Sequence, residues 1–163
     1  MTFFAAVFKS VFKRSLVPLT LLALSSAQAA EWRFGVQGGT DILYGGALGG
    51  HLSVEGPVNR AGTLNLRGTL EGNVHFQGLA DTRLDVTLLG HSGNLYYGGG
   101  LGSGVAFDLN ETGGGLPLFV YTPLLMANLH GVLGYDFGGA RLEGVARVGL
   151  NPGVGLRTSF PLR

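Results

Sequence analysis

His51, Ser53 and Glu55 alternate along one short segment, and an imidazole, a hydroxyl and a carboxylate are the parts of an activated nucleophile. Their spacing restrains that reading. Residues two apart on an extended chain lie about 6.5 Å apart along it, too far for a direct nucleophile–base hydrogen bond without a bend. A shared polar network is the simpler use of the three side chains, and catalysis by them is the second choice. His75 and His130 also sit among polar residues, and with His51 and Glu71 they are the available imidazole and carboxylate donors for a metal. No His-x-x-x-His spacing organises them, and cysteine is absent, so the sequence points to no metal site and to no disulfide framework. The runs Gly98-Gly99-Gly100 and Gly113-Gly114-Gly115 are not phosphate cradles, since the first lies inside an extended segment with no helix behind it. No cofactor is implied.

The charges Arg67, Glu71, Arg83, Asp85, Glu143, Arg147 and Arg157 form a stronger group, because of where they fall. Over residues 64–76 every second position is apolar or glycine: Leu64, Leu66, Gly68, Leu70, Gly72, Val74 and Phe76. The positions between are Asn65, Arg67, Thr69, Glu71, Asn73 and His75. A strand sends successive side chains to opposite faces, so this is one two-faced strand. At ~3.3 Å per residue it reaches roughly 40 Å, whereas a tilted strand crossing a bilayer needs only about 9–11 residues.

The same alternation predicts strands over 32–40, 48–54, 82–88, 95–107, 129–137, 142–150 and 154–162, eight in all with 64–76. Glycine, proline and asparagine mark the turns at 57–62, 90–94, 138–139 and 151–153. The one long connection is 109–123, and its apolar patch at 119–121 leaves a count of nine or ten strands as the alternative. No shift of composition separates a second domain.

Residues 1–29 have the form of a secretory signal: a basic start at Lys9, Lys13 and Arg14, a short apolar stretch at 16–24, and Ala27-Gln28-Ala29 as a cleavage site. Residues 30–163 then make one domain. Cleavage removes both lysines and Arg14, leaving eight of the 11 basic residues, all arginine, against ten acids. That balance, without clustered basic charge, argues against nucleic acid as a partner. All 30 glycines lie in the exported part, which disfavours helix.

Eight strands joined by short turns make an antiparallel meander, and closing it removes its unpaired edges. With apolar side chains inward it would be a soluble lipocalin-like barrel holding an apolar ligand. With them outward it would be an up-and-down membrane β-barrel. The outward reading is favoured because the polar face carries bulky charges of complementary sign, Arg67 with Glu71 and Arg83 with Asp85, while the apolar face is almost uncharged. An Arg or Lys facing lipid at the midplane costs about 2–4 kcal/mol. Aromatic residues also cluster at strand ends: Trp32, Phe34, Phe76, Tyr97, Phe107, Tyr135, Phe137 and Phe160. Rings at such positions form the girdles of outer-membrane barrels. The seven charges are then expected to form a cross-strand ladder filling a lumen that, for eight strands, is just wide enough for side chains.

In this pattern, over residues 31–163, the chain resembles the small eight-stranded outer-membrane proteins of the OmpA-transmembrane-domain and OmpX type. Members of that type end in an aromatic residue, whereas this chain carries Phe160 and then Pro161-Leu162-Arg163. The resemblance implies an all-β fold in the outer membrane, with lipid and other envelope proteins as partners. It also implies a structural, envelope-integrity or surface-interaction role. Outer-membrane lipid A deacylases resemble such a barrel as well and use a Ser/His/acid trio, which makes a lipid-modifying hydrolase a further alternative built on His51, Ser53 and Glu55. The soluble alternative would place the protein in the periplasm or outside the cell.

Overall fold

The computed structural model describes residues 30–108 and 126–162, with the side chains of 107 and 108 left aside. The expected signal and its cleavage site lie outside the described residues, as does nearly all of the long connection. Eight strands follow one another: β1 (Glu31–Asp41), β2 (Gly45–Pro57), β3 (Leu64–His75), β4 (Leu79–Ser92), β5 (Leu95–Asp108), β6 (Asn128–Asp136), β7 (Arg141–Gly149) and β8 (Gly153–Pro161). Each pairs antiparallel with the next, and β8 pairs back to β1, so the sheet closes into a barrel in chain order. Closure is in register from Arg33 opposite Pro161 to Asp41 opposite Gly153.

The alternation that runs through the sequence becomes inside and outside here. On β3, Arg67, Thr69, Glu71 and His75 are buried while Leu70, Gly72 and Val74 are exposed. The inversion is large in magnitude: Val36, Leu101 and Val148 are 65%, 64% and 68% exposed, whereas Glu71 and Asp85 are 2% and 0% exposed. A water-soluble fold has the opposite sign.

Two strands extend beyond their predicted limits by three residues or more, for readable reasons. β2 starts at Gly45 rather than 48 because Gly45, Gly46 and Ala47 carry no polar or apolar signal. β4 runs on past residue 88 because Leu88 and Leu89 are adjacent apolar residues that break the apparent period, Leu88 facing out and Leu89 fully buried inside. The turn at 76–78 uses Gly78 at φ +84°, where an L side chain is strained, and closes with Gly78 N–H donating to His75 C=O at 3.0 Å.

The barrel has two mouths. The terminal mouth carries the start of β1 and the end of β8; the distal mouth carries the turns at 42–44, 76–78 and 150–152. At the distal mouth Ile42 N–H donates to Pro152 C=O (3.1 Å) and Leu43 N–H to Asn151 Oδ1 (3.0 Å), tying two turns together.

Candidate functional site: the charged lumen

Inward-facing side chains meet across the barrel, so the site is built by closure rather than by any one strand. At its centre Arg67, Arg147 and Arg157 interlock with Glu71, Asp85 and Glu143. Arg67 Nη1 donates to Glu143 Oε2 at 2.6 Å, and Arg157 Nη1 donates to Glu143 Oε1 at 3.1 Å. Arg147 Nη2 donates to Glu71 Oε1 at 2.6 Å and to Asp85 Oδ2 at 3.0 Å. Arg157 Nη2 reaches the same two oxygens, bonding Glu71 and lying 3.2 Å from Asp85. Three cations face three anions, so this layer is neutral. Removing one partner from such a buried set leaves an uncompensated charge, which costs roughly 3–5 kcal/mol.

At the terminal mouth, Arg141 donates to Glu55 (2.7 Å), Asp136 (2.7 Å) and Glu31 (3.3 Å), and Arg33 pairs with Glu31. His91 Nε2 adds a contact to Glu55 at 3.1 Å. At the distal mouth, Arg83 donates to Asp81 (3.0 Å) and Asp41 (2.9 Å), and His75 Nε2 lies 2.5 Å from Asp81 Oδ2. The sign pairs suggested by sequence are therefore rearranged. Arg67 turns to Glu143 rather than Glu71, and Arg83 turns to Asp81 and Asp41 rather than Asp85.

Alongside the central layer and the terminal mouth the lumen holds an apolar cluster: Leu89, Tyr96, Val132 and Val145, all buried. Tyr96 joins the two regions, with the Arg67 and Arg141 guanidinium carbons 6.0 and 5.3 Å from its ring centre. Glycine makes the room. Along β5, Gly98, Gly100, Gly102 and Gly104 present no side chain to the lumen. A Cβ at Gly98, Gly100 or Gly104 would first strike a β4 carbonyl oxygen and would also press on Leu89 Cδ2 (2.9 Å), His130 Nε2 (2.8 Å) or Arg83 Cγ (2.9 Å), respectively. At Gly102 it would collide with the Asp85 carboxylate. The glycine-rich segment is thus the space into which its neighbours' side chains fold.

His51, Ser53 and Glu55 all face the lumen from β2 and are buried. The structure does not assemble them into a relay. Glu55 is engaged by Arg141, Asn65 and His91, and His51 Nδ1 has no hydrogen-bond partner among the described residues. His130 Nε2 is instead 2.8 Å from Thr87 Oγ1, on the far wall. A donor set missed by sequence does come together: Asp41, His75 and Asp81, from β1, β3 and β4, offer ligand atoms within 4.8 Å of one another. His75 and Asp81 are neighbours across the β3–β4 turn, but nothing in the spacing announces Asp41, which the curl of the sheet through β2 brings to them.

The outward rings Trp32, Phe34, Tyr97, Tyr135, Phe137 and Phe160 lie at the terminal mouth, and Phe76 at the distal one. Phe34 and Phe160 sit opposite each other across the closure, ring centres 6.0 Å apart, and Tyr135 and Phe137 are 4.9 Å apart. The expected belts at both ends are thus unequal among the described residues. The Phe107 side chain lies outside them.

No protein-family model and no curated protein sequence matches the chain. Solved structures do. A de novo designed transmembrane β-barrel superposes with a TM-score of 0.52 at 11% identity, covering 84% of this chain and 99% of the design. The N-terminal β-barrel domain of Pseudomonas aeruginosa OprF gives 0.48 at 16% identity, covering 80% and 97%. Ail, the attachment invasion locus protein of Yersinia pestis, solved with the heparin analogue sucrose octasulfate, gives 0.48 at 10% identity, covering 81% and 96%. The fold of this chain is that of the small eight-stranded transmembrane β-barrels.

Proposed function

We propose that the protein is an exported outer-membrane β-barrel, freed of residues 1–29, whose lumen is plugged by its own charges and which serves envelope integrity or surface interaction. One observation carries this reading: a closed barrel whose outer wall is apolar and whose buried interior holds arginine–carboxylate pairs. Such a wall suits outer-membrane lipid, and such an interior suits a structural plug rather than an open pore, since eight strands enclose only enough space for side chains. An apolar-ligand carrier would line its interior with apolar side chains, where this barrel has Arg67, Glu71, Asp85, Glu143 and Arg157. A lipid-modifying hydrolase would need its nucleophile near the lipid, whereas Ser53 faces the lumen.

Fractionation tests the proposal. The protein is expected to stay with outer membranes through a carbonate wash, and its migration in detergent gels is expected to change on boiling. Release with the periplasmic fraction, or migration indifferent to heat, would contradict it. For the role itself, a strain lacking the protein is expected to become more sensitive to detergent, and Ser53→Ala is expected to complement it fully.

A further inference from the structure

The distal mouth carries a donor set with a charge imbalance. Asp41, His75 and Asp81 present their ligand atoms within 4.8 Å of one another, and all three are buried. One guanidinium, Arg83, is shared between the two carboxylates at 2.9 and 3.0 Å. Two buried anions against one cation leave this layer a positive charge short, unlike the balanced centre. The carboxylates are already oriented from behind, as ligands usually are: Tyr44 N–H donates to Asp41 Oδ1 at 2.7 Å and Asn73 Nδ2 to Asp81 Oδ1 at 2.8 Å. An apolar cap of Tyr44, Ala106, Met126 and Leu79 closes one side, with the Tyr44 ring edge-on to His75 at 5.4 Å. On the other side lies a cavity of about 40 Å³ lined by Asp41, His75, Arg83 and Glu71.

We propose that this layer is a divalent transition-metal site of the zinc class, with Asp41, His75 and Asp81 as its three protein ligands. Nitrogen and carboxylate oxygen are the donors that such an ion takes at about 2.0–2.2 Å. Tetrahedral ligands at those lengths stand roughly 3.4 Å apart, a small inward movement from the present spacing. Arg83 is the resident cation that the metal replaces. Its guanidinium then swings into the adjoining cavity, which it already lines.

The test uses the full exported chain, without an affinity tag, folded in detergent and stripped with chelator. Calorimetric titration with Zn²⁺ is expected to show one site per chain. His75→Ala and Asp81→Asn are each expected to weaken it at least tenfold, and His130→Ala to leave it unchanged. Co²⁺ added to the unmutated protein is expected to give the visible absorption of a tetrahedral ion, a readout that needs no variant. Absence of both the stoichiometric heat and the Co²⁺ spectrum would overturn the assignment, as would unweakened binding by a folded His75→Ala protein.

Discussion

Glu71 is the residue on which the lumen turns. One of its carboxylate oxygens receives both Arg147 and Arg157, and the other takes Gln37 Nε2 at 3.0 Å. Glu71→Ala therefore leaves three buried guanidinium groups facing only Asp85 and Glu143, one uncompensated charge, and the barrel is expected to lose roughly 3–5 kcal/mol of stability. Reversible denaturant unfolding in lipid vesicles measures this, and an unchanged unfolding midpoint would remove the plug from the account. The inward location of the six ladder charges that meet in the central layer could be read from alternation, since their outward neighbours are apolar or glycine apart from Thr158 beside Arg157. Their partners could not be read. Pairing is decided by which strands face each other across the closed lumen, and Arg83 turns to the distal mouth because Arg147 and Arg157 already occupy Glu71 opposite it. Asp41 likewise lies far in sequence from His75 and Asp81, which face each other across the β3–β4 turn, yet all three are adjacent in space.

At the scale of the strand, β5 shows how composition becomes architecture. Its outward positions, Leu95, Tyr97 and Leu101, are large and exposed, while its inward row is glycine from Gly98 to Gly104. Gly102→Val is expected to push the Asp85 carboxylate off Arg147 and Arg157, and to sharply reduce the yield of folded, heat-modifiable protein. Gly72→Val on β3 is the matched control. That position is exposed on the outer wall, with open space where its Cβ would go, so its effect should stay within about 0.5 kcal/mol. Equal loss in both variants would mean that the glycines serve chain flexibility rather than space. The existence of all eight strands was legible because period-2 patterning survives wherever outward residues are Leu, Val or aromatic. Strand limits were less so, since Gly45, Gly46 and Ala47 have no polarity to display and Leu89 faces inward against the pattern.

The whole molecule is an inversion: charge inside, apolar side chains outside, in a barrel whose closed sheet leaves no edge for water to satisfy. Aromatic rings gathered at the terminal mouth, with Phe76 opposite, bracket that apolar wall. The chain has no cysteine, so a single one can be introduced and labelled anywhere without background. The most direct measurement is therefore nitroxide accessibility in vesicles, with Leu101→Cys and Val36→Cys on the outer wall and Arg60→Cys in the turn between β2 and β3. At residues 36 and 101 the label is expected to collide more with dissolved oxygen, which concentrates in hydrocarbon, than with a water-soluble nickel chelate. At residue 60 the order should reverse. Nickel access at 36 and 101 equal to that at 60 would show that the apolar wall faces water and would contradict the account.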